Sequence, residues 1–183
     1  MKKLAVVVMM IAIAAFMVPA LASADDWGHG GAGHGIKGLY AVTGFSTCSP
    51  VGPGIFEADY TFKGDGTGSV RNGFIRNITP SGPVLLTYTA AFTYEVTHEG
   101  RITFEYPLPL GGNHVKRLDE HGNTVLELIW SLGPGHGVIS PDGKTITITC
   151  GPPVVLEILE STNPALEGNT TSCVTTAVGI RLH

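Results

Sequence analysis

No stretch of the chain repeats apolar residues at the 3.6-residue helical period, and nowhere do lysines and arginines cluster. The first absence argues against helices as the main building element. The second excludes a phosphate backbone or an anionic membrane surface as a partner, because both are held by grouped cations. No nucleic acid is therefore expected. Nucleophile signatures are missing too: there is neither a G-x-S-x-G elbow nor an S-x-x-K pair, and "GFSTCS" at 44–49 supplies no neighbouring cation to activate a thiol. The chain reads as no enzyme, with no catalytic residues and no cofactor.

What is present begins with "MKKLAVVVMMIAIAAFMVPALASADD". Two lysines, an apolar run from Leu4 to Val18 and the triplet Ala22-Ser23-Ala24 read as a secretory signal peptide over residues 1–24, cleaved after Ala24. Cleavage leaves no transmembrane anchor and implies a periplasmic or secreted protein. It also removes Lys2 and Lys3, so nine lysines and arginines face fifteen acidic residues. The remaining length suits one domain.

Residues 25–36, "DDWGHGGAGHGI", hold five glycines in twelve positions and read as a flexible leader, since such a composition buries too little to offset its ordering entropy. His29 and His34 there are weak candidates for a divalent metal. Their spacing matches no structural zinc pattern, so solvated imidazoles are the simpler reading and no metal site is expected.

From Lys37 to His183 the chain changes to short alternating runs, the pattern of antiparallel strands. In "LLTYTAAFTYEV" the even positions Leu86, Tyr88, Ala90, Phe92, Tyr94 and Val96 are apolar, and threonines with Glu95 fill most odd ones. The same split places Ile102, Phe104 and Tyr106; Leu126, Leu128, Trp130 and Leu132; Ile146, Ile148 and Cys150; and Val174, Val178, Ile180 and Leu182 on one interior. Glycine-bearing corners separate the runs: "GDGTG", "HEGR", "EHGN" and "PDGK". Ten or eleven strands are too many for a flat sheet of this size. The expectation is an all-β domain over 37–183, an antiparallel meander closed into a barrel of about 8–10 strands, with a two-layer sandwich as the alternative. "HVKRLD" at 114–119 is polar enough to be an edge strand or a loop.

The polar residues have plain readings. His98, His114, His121 and His136 stand beside glycine-rich corners as exposed loop histidines; Glu57 and Asp59 share the wet face of a strand; "KGDGTGS" lacks the further carboxylates of a calcium loop. "NIT" at 77–79 matches a glycosylation acceptor and reads as incidental. "VISPDGKTITITC" is a hairpin whose threonines face water.

Three cysteines in an oxidising compartment imply one disulfide and one thiol left over. In a closed up-and-down barrel with an even number of strands, the first and last strands are antiparallel neighbours. Cys48 ends the first and Cys173 opens the last, which favours a Cys48–Cys173 bridge and leaves Cys150 as a buried or rim thiol; Cys150–Cys173 is the alternative.

The stretches "GLYAVTGFSTC", "FKGDGTGSV" and "GVISPDGKTITI", with the closing cysteine strand, resemble a group of secreted bacterial β-proteins without an assigned activity. More weakly, Gly38-Leu39-Tyr40 and Arg181 resemble the opening G-x-W and closing arginine of lipocalin-like barrels. That resemblance implies a cation from the last strand over the ring of Tyr40. The leading expectation is an exported barrel whose interior, lined by Tyr88, Phe92, Tyr94, Phe104 and Trp130, takes up a small apolar ligand. The alternative is an envelope or extracellular interaction or structural protein that works through its loops and outer strands.

Overall fold

The computed structural model describes residues 36–49, 52–79, 82–107 and 113–183, with the backbone alone for 150–154. The expected signal peptide and the leader with His29 and His34 lie outside the described residues, except Ile36 at the leader's end, which is buried in the core. The described residues contain ten strands in one antiparallel sheet: β1 (Gly38–Ser49), β2 (Gly52–Phe62), β3 (Thr67–Thr79), β4 (Gly82–Val96), β5 (Arg101–Glu105), β6 (Asn113–Leu118), β7 (Thr124–Leu132), β8 (Gly135–Ile139), β9 (Thr145–Ser161) and β10 (Thr170–Arg181). No helix among them is long and apolar enough to cross a membrane.

The ten strands make eight staves. The first half of β4 pairs with β6, from Leu85 opposite Leu118 to Ala90 opposite Asn113, and its last residues pair with β5, from Thr93 opposite Glu105 to Val96 opposite Ile102. Similarly, β9 pairs first with β8 and then with β7. Hence β5 and β6 are successive halves of one stave, and β7 and β8 of the next. β10 runs antiparallel to β1 from Tyr40 opposite Arg181 to Ser49 opposite Ser172. The ring is therefore closed as an up-and-down barrel, through β6 and β7 in its upper part and through β5 and β8 in its lower part, which leaves no stave as an unpaired edge. The lower end carries the turns at 63–66, 97–100 and 140–144, and the upper end carries residues 119–123 and 162–169.

Closure sets the cysteine pairing. Cys48 and Cys173 are directly opposite in the β1–β10 ladder, and their sulfurs are bonded at 2.07 Å. Cys150 pairs through its backbone with Thr175; its side chain lies outside the described residues.

The expected alternation holds on most staves. Tyr88, Phe104, Trp130 and Ile146 all turn inward, and Thr147 and Thr149 face water. The last strand is a correction. Val174, Val178, Ile180 and Leu182 are exposed on the outside, and the inward residues of β10 are Cys173, Thr175, Ala177 and Gly179. Apolar character misleads here because rings from other staves already occupy that side of the barrel, so β10 faces them with small side chains. "HVKRLD" is another correction: most of it forms β6, an internal strand with Val115 buried, and His114, like His136 on β8, sits outward on a strand rather than in a loop. On β3 a bulge between Val70 and Gly73, with Asn72 at φ 50°, switches the inward set from Gly68 and Val70 to Gly73, Ile75 and Asn77. An extra residue of this kind raises the local twist that a small barrel needs to close.

Glycines make the close approaches possible. Gly44 is opposite Phe56, Gly68 opposite Phe92 and Gly73 opposite Tyr88. In each pair the aromatic ring lies where the glycine's Cβ would be, within 2.2–2.7 Å. A ring laid over a cross-strand glycine covers backbone that would otherwise be bare and fixes the register. The corners are clipped by aspartates. Asp65 accepts from Thr67 Oγ1 and N, Asp119 from Asn123 and His121, and Asp142 from Ser140 Oγ and Lys144 N. These hydrogen bonds hold all three carboxyls below the usual aspartate range.

Gly68→Ala should drive a methyl into the Phe92 ring and the Thr61 carbonyl. We expect a loss of roughly 1–3 kcal/mol in urea unfolding, the range of core overpacking; an unchanged midpoint would contradict the packing described. Peptide mapping without reductant should yield a 48–173 linked fragment.

Candidate functional site

Inside the barrel the side chains separate into two clusters, and they differ in how well they are sealed. The lower cluster is built around Phe62, 1 % exposed. Its ring centroid lies 5.0 Å from Tyr94, 5.3 Å from Tyr40 and from Phe92, and 6.0 Å from Phe104. Most of these contacts are edge-on, the arrangement that ring quadrupoles favour. Phenols tie the cluster to the lower turns: Tyr40 donates to the Gly143 carbonyl, while Tyr94 donates to the Ile36 carbonyl at 2.8 Å and accepts from Gly64 N at 3.1 Å. Ile36, where the chain runs into β1, thus plugs this end.

The upper cluster has Leu86, Val115 and Leu128 at its centre. Around them stand Ile75, Val84, Leu126, Trp130, Ile158 and Leu166, all only partly buried although the strand residues among them point inward. Solvent therefore reaches part of this cluster, unlike the lower one. Leu166 comes from the short 3-10 turn Pro164–Leu166, started by the Asn163 side chain and folded back beside the cluster.

Tyr88 belongs to both clusters and forms the floor between them. Its phenol is pushed well above the usual tyrosine range, first by burial and then by its hydrogen-bonded neighbour Tyr60. Near the upper rim a row of inward residues crosses the ladder: Thr175 on β10, Ser46 on β1, Gly54 on β2 and Asn77 on β3. Gly54 leaves the room that the Asn77 amide fills. Asn77 Oδ1 and, lower down, Asn113 Nδ2 are buried without a hydrogen-bond partner in the protein, an arrangement that costs about 1–3 kcal/mol per group. The "NIT" acceptor pattern at 77–79 thus begins with an interior asparagine.

The five residues singled out in the sequence therefore do not form one site. Phe92, Tyr94 and Phe104 are part of the lower aromatic packing; Tyr88 packs against both clusters; Trp130 alone belongs only to the upper one, where it is partly buried. Sequence reasoning missed Phe62, legible in the alternation of "IFEADYTF", and it missed Ile75 and Asn77, whose phase the β3 bulge shifts. Among the described residues, no group of three metal-ligating side chains converges. Asp59 accepts from Asn72 Nδ2 at 2.7 Å, across the bulge, and Glu57 is exposed. Arg181 lays its guanidinium over Gly38, and its charge reaches the Tyr40 phenol, which burial nevertheless raises above the usual range.

Two shallow grooves lie on the outer wall. One, of about 370 Å³, runs beside the 2.9 Å Lys116–Glu127 ion pair. The other, of about 490 Å³, lies over the β3 bulge at Arg71 and Asn72. No family model matches the chain, and no curated protein or solved structure matches it.

The tyrosines give a pH prediction. Burial raises Tyr40, Tyr88 and Tyr94 above the usual range in the folded state. The stability linked to these protons is complete below the unfolded tyrosine value of about 10 and is lost as pH rises beyond it. Absorbance at 295 nm should show part of the tyrosine signal appearing only together with alkaline unfolding. Ionisation of all five tyrosines near pH 10, with near-ultraviolet circular dichroism intact, would contradict it.

Proposed function

We propose that this is an exported, non-enzymatic β-barrel that takes up a small apolar ligand at its upper end. The observation that carries the reading is the contrast between the two ends. The lower interior is packed solid with rings, whereas Ile75, Leu126, Trp130 and Ile158 point inward and remain open to solvent. A mostly apolar wall with few polar groups is the usual make-up of a small-molecule site. Buried Asn77 and Ser46 near the rim favour a ligand with an apolar body and a single hydrogen-bonding end. The Cys48–Cys173 bridge supports an oxidising compartment, periplasmic or extracellular, and fits the signal-peptide reading of residues 1–24.

Trp27 and Trp130 are the chain's two tryptophans, so Trp27→Phe leaves Trp130 as the reporter. Titration with fatty alcohols, fatty acids and other lipophiles should give a saturable change in its emission. Ile158→Phe, which fills the opening, should weaken the response about tenfold, a loss of about 1.4 kcal/mol; Val125→Asp on the outside should leave it unchanged. Absence of any response across the panel would end the ligand reading.

A further inference from the structure

The barrel wall sorts charge. By ladder register, the charged side chains of the described strands fall on outward positions with two exceptions, Arg181 at the foot of β10 and Arg117 near the top of β6. Arg181 has a place already, since its guanidinium covers Gly38 at the sealed lower end. Arg117 is at the other mouth. It is opposite Leu86 on β4 and Leu126 on β7, both members of the upper cluster, and Val115, two residues before it, is buried in that cluster. Side chains two positions apart on a strand share a face, so Arg117 leaves the backbone on the inner side of the wall. Because it is also exposed, its guanidinium stands at the upper rim and not in the packed interior.

No described residue neutralises this cation: Arg117 has neither a hydrogen bond nor an ion pair among them. The charges around it are engaged elsewhere. Lys116 pairs with Glu127 at 2.9 Å on the outer face, Asp119 accepts from Asn123 and His121, Glu120 stands beside His121, and Glu167 accepts from Ser161 N. The same strand carries a second unfilled donor. Asn113 precedes Arg117 by four residues in the same phase, is 2 % exposed, and its Nδ2 has no acceptor in the protein. Its cross-strand neighbours are Ala90 and Trp130. Both polar side chains that β6 turns inward are thus donors without an acceptor, one at the rim and one about 13 Å further along the strand. A guanidinium can only donate, and a buried N–H left unpaired by the fold calls for an acceptor from outside it.

We infer that the ligand of the upper end is an anion, a single-chain amphiphile whose carboxylate head is held by Arg117 and whose chain lies against Ile75, Leu126, Trp130 and Ile158. The inference rests on the ligand reading above and adds to it the sign of the ligand's charge. A carboxylate matches the guanidinium fork with two parallel N–H···O bonds, a neutral alcohol takes one weaker bond, and a cationic head is repelled. Holding the head at the rim also leaves it partly hydrated, which avoids the cost of carrying a charge into the interior. An oxygen carried further along such a chain would meet Asn113 Nδ2.

The full chain with Trp27→Phe, titrated with decanoate, decanol and decyltrimethylammonium below their micellar concentrations, tests this. Trp130 emission and calorimetry serve as readouts at pH 8, where the acid is ionised, and at low salt. Decanoate should bind about tenfold more tightly than decanol, and the ammonium most weakly. Arg117→Gln should bring decanoate down to the affinity of decanol and leave decanol unchanged, and Arg117→Lys should keep part of the preference. Arg71→Gln, on the outer wall, should change neither, and about 0.5 M salt should narrow the gap. Saturable binding of decanoate and decanol with equal affinity would overturn the inference while leaving the ligand reading intact, and so would a preference for decanoate that survives Arg117→Gln. If Arg117→Gln does not fold by circular dichroism, the comparison of decanoate with decanol on the unchanged arginine decides. Silence toward all three compounds is the separate failure of the ligand reading, and the inference falls with it.

Discussion

Everything in the molecule depends on β1 finding β10. That ladder joins residues 40 and 181, closes the ring, defines an inside, and brings two cysteines that are 125 positions apart into bonding contact. Without it the same strands would form an open meander, and the aromatic rings that now meet around Phe62 would have no opposite wall. The disulfide reinforces a pairing that the backbone already makes. In the chain-entropy account a loop of this length gives a stabilisation of several kcal/mol, because the unfolded chain loses the freedom to separate its ends.

Given closure, the interior is a matter of volume. A ring of eight staves encloses just enough space for side chains to fill. The chain meets that limit by pairing a large residue with a glycine across the ladder, as at Gly44 and Phe56, Gly68 and Phe92, and Gly73 and Tyr88. At the lower end the arrangement leaves no room. Toward the upper end, aliphatic and partly exposed residues replace the rings. The two ends of one barrel are thus built differently, one from stacked rings and one from partly exposed aliphatic side chains.

Much of this was legible in the residues. The alternation in "LLTYTAAFTYEV" and "TITITC" and the glycine corners were sufficient for strand type, meander and closure, and closure in turn was sufficient for the Cys48–Cys173 pairing. What misled was local irregularity. The bulge at Asn72 reverses the phase of β3 in mid-strand, which hid Ile75 and Asn77. On β10 the rule that apolar residues face inward failed, since which side of a strand is filled depends on what the other seven staves project. That information is not contained in the strand itself. The division of the upper and lower interior likewise depends on which rings stack, a three-dimensional fact that a list of aromatic residues does not hold.

The long reach of the closing ladder also has a kinetic side. Contacts between residues separated by more than a hundred positions form late, because the loop-closure entropy must be met before they contribute anything. Until that moment β1 and β10 are the two free edges of a growing sheet, and apart from Arg181 at the end of β10 neither carries a charge to discourage pairing with a stranger. The folding chain is therefore most vulnerable to misassembly just before its ring shuts, and an oxidant that seals Cys48 to Cys173 early shortens that interval.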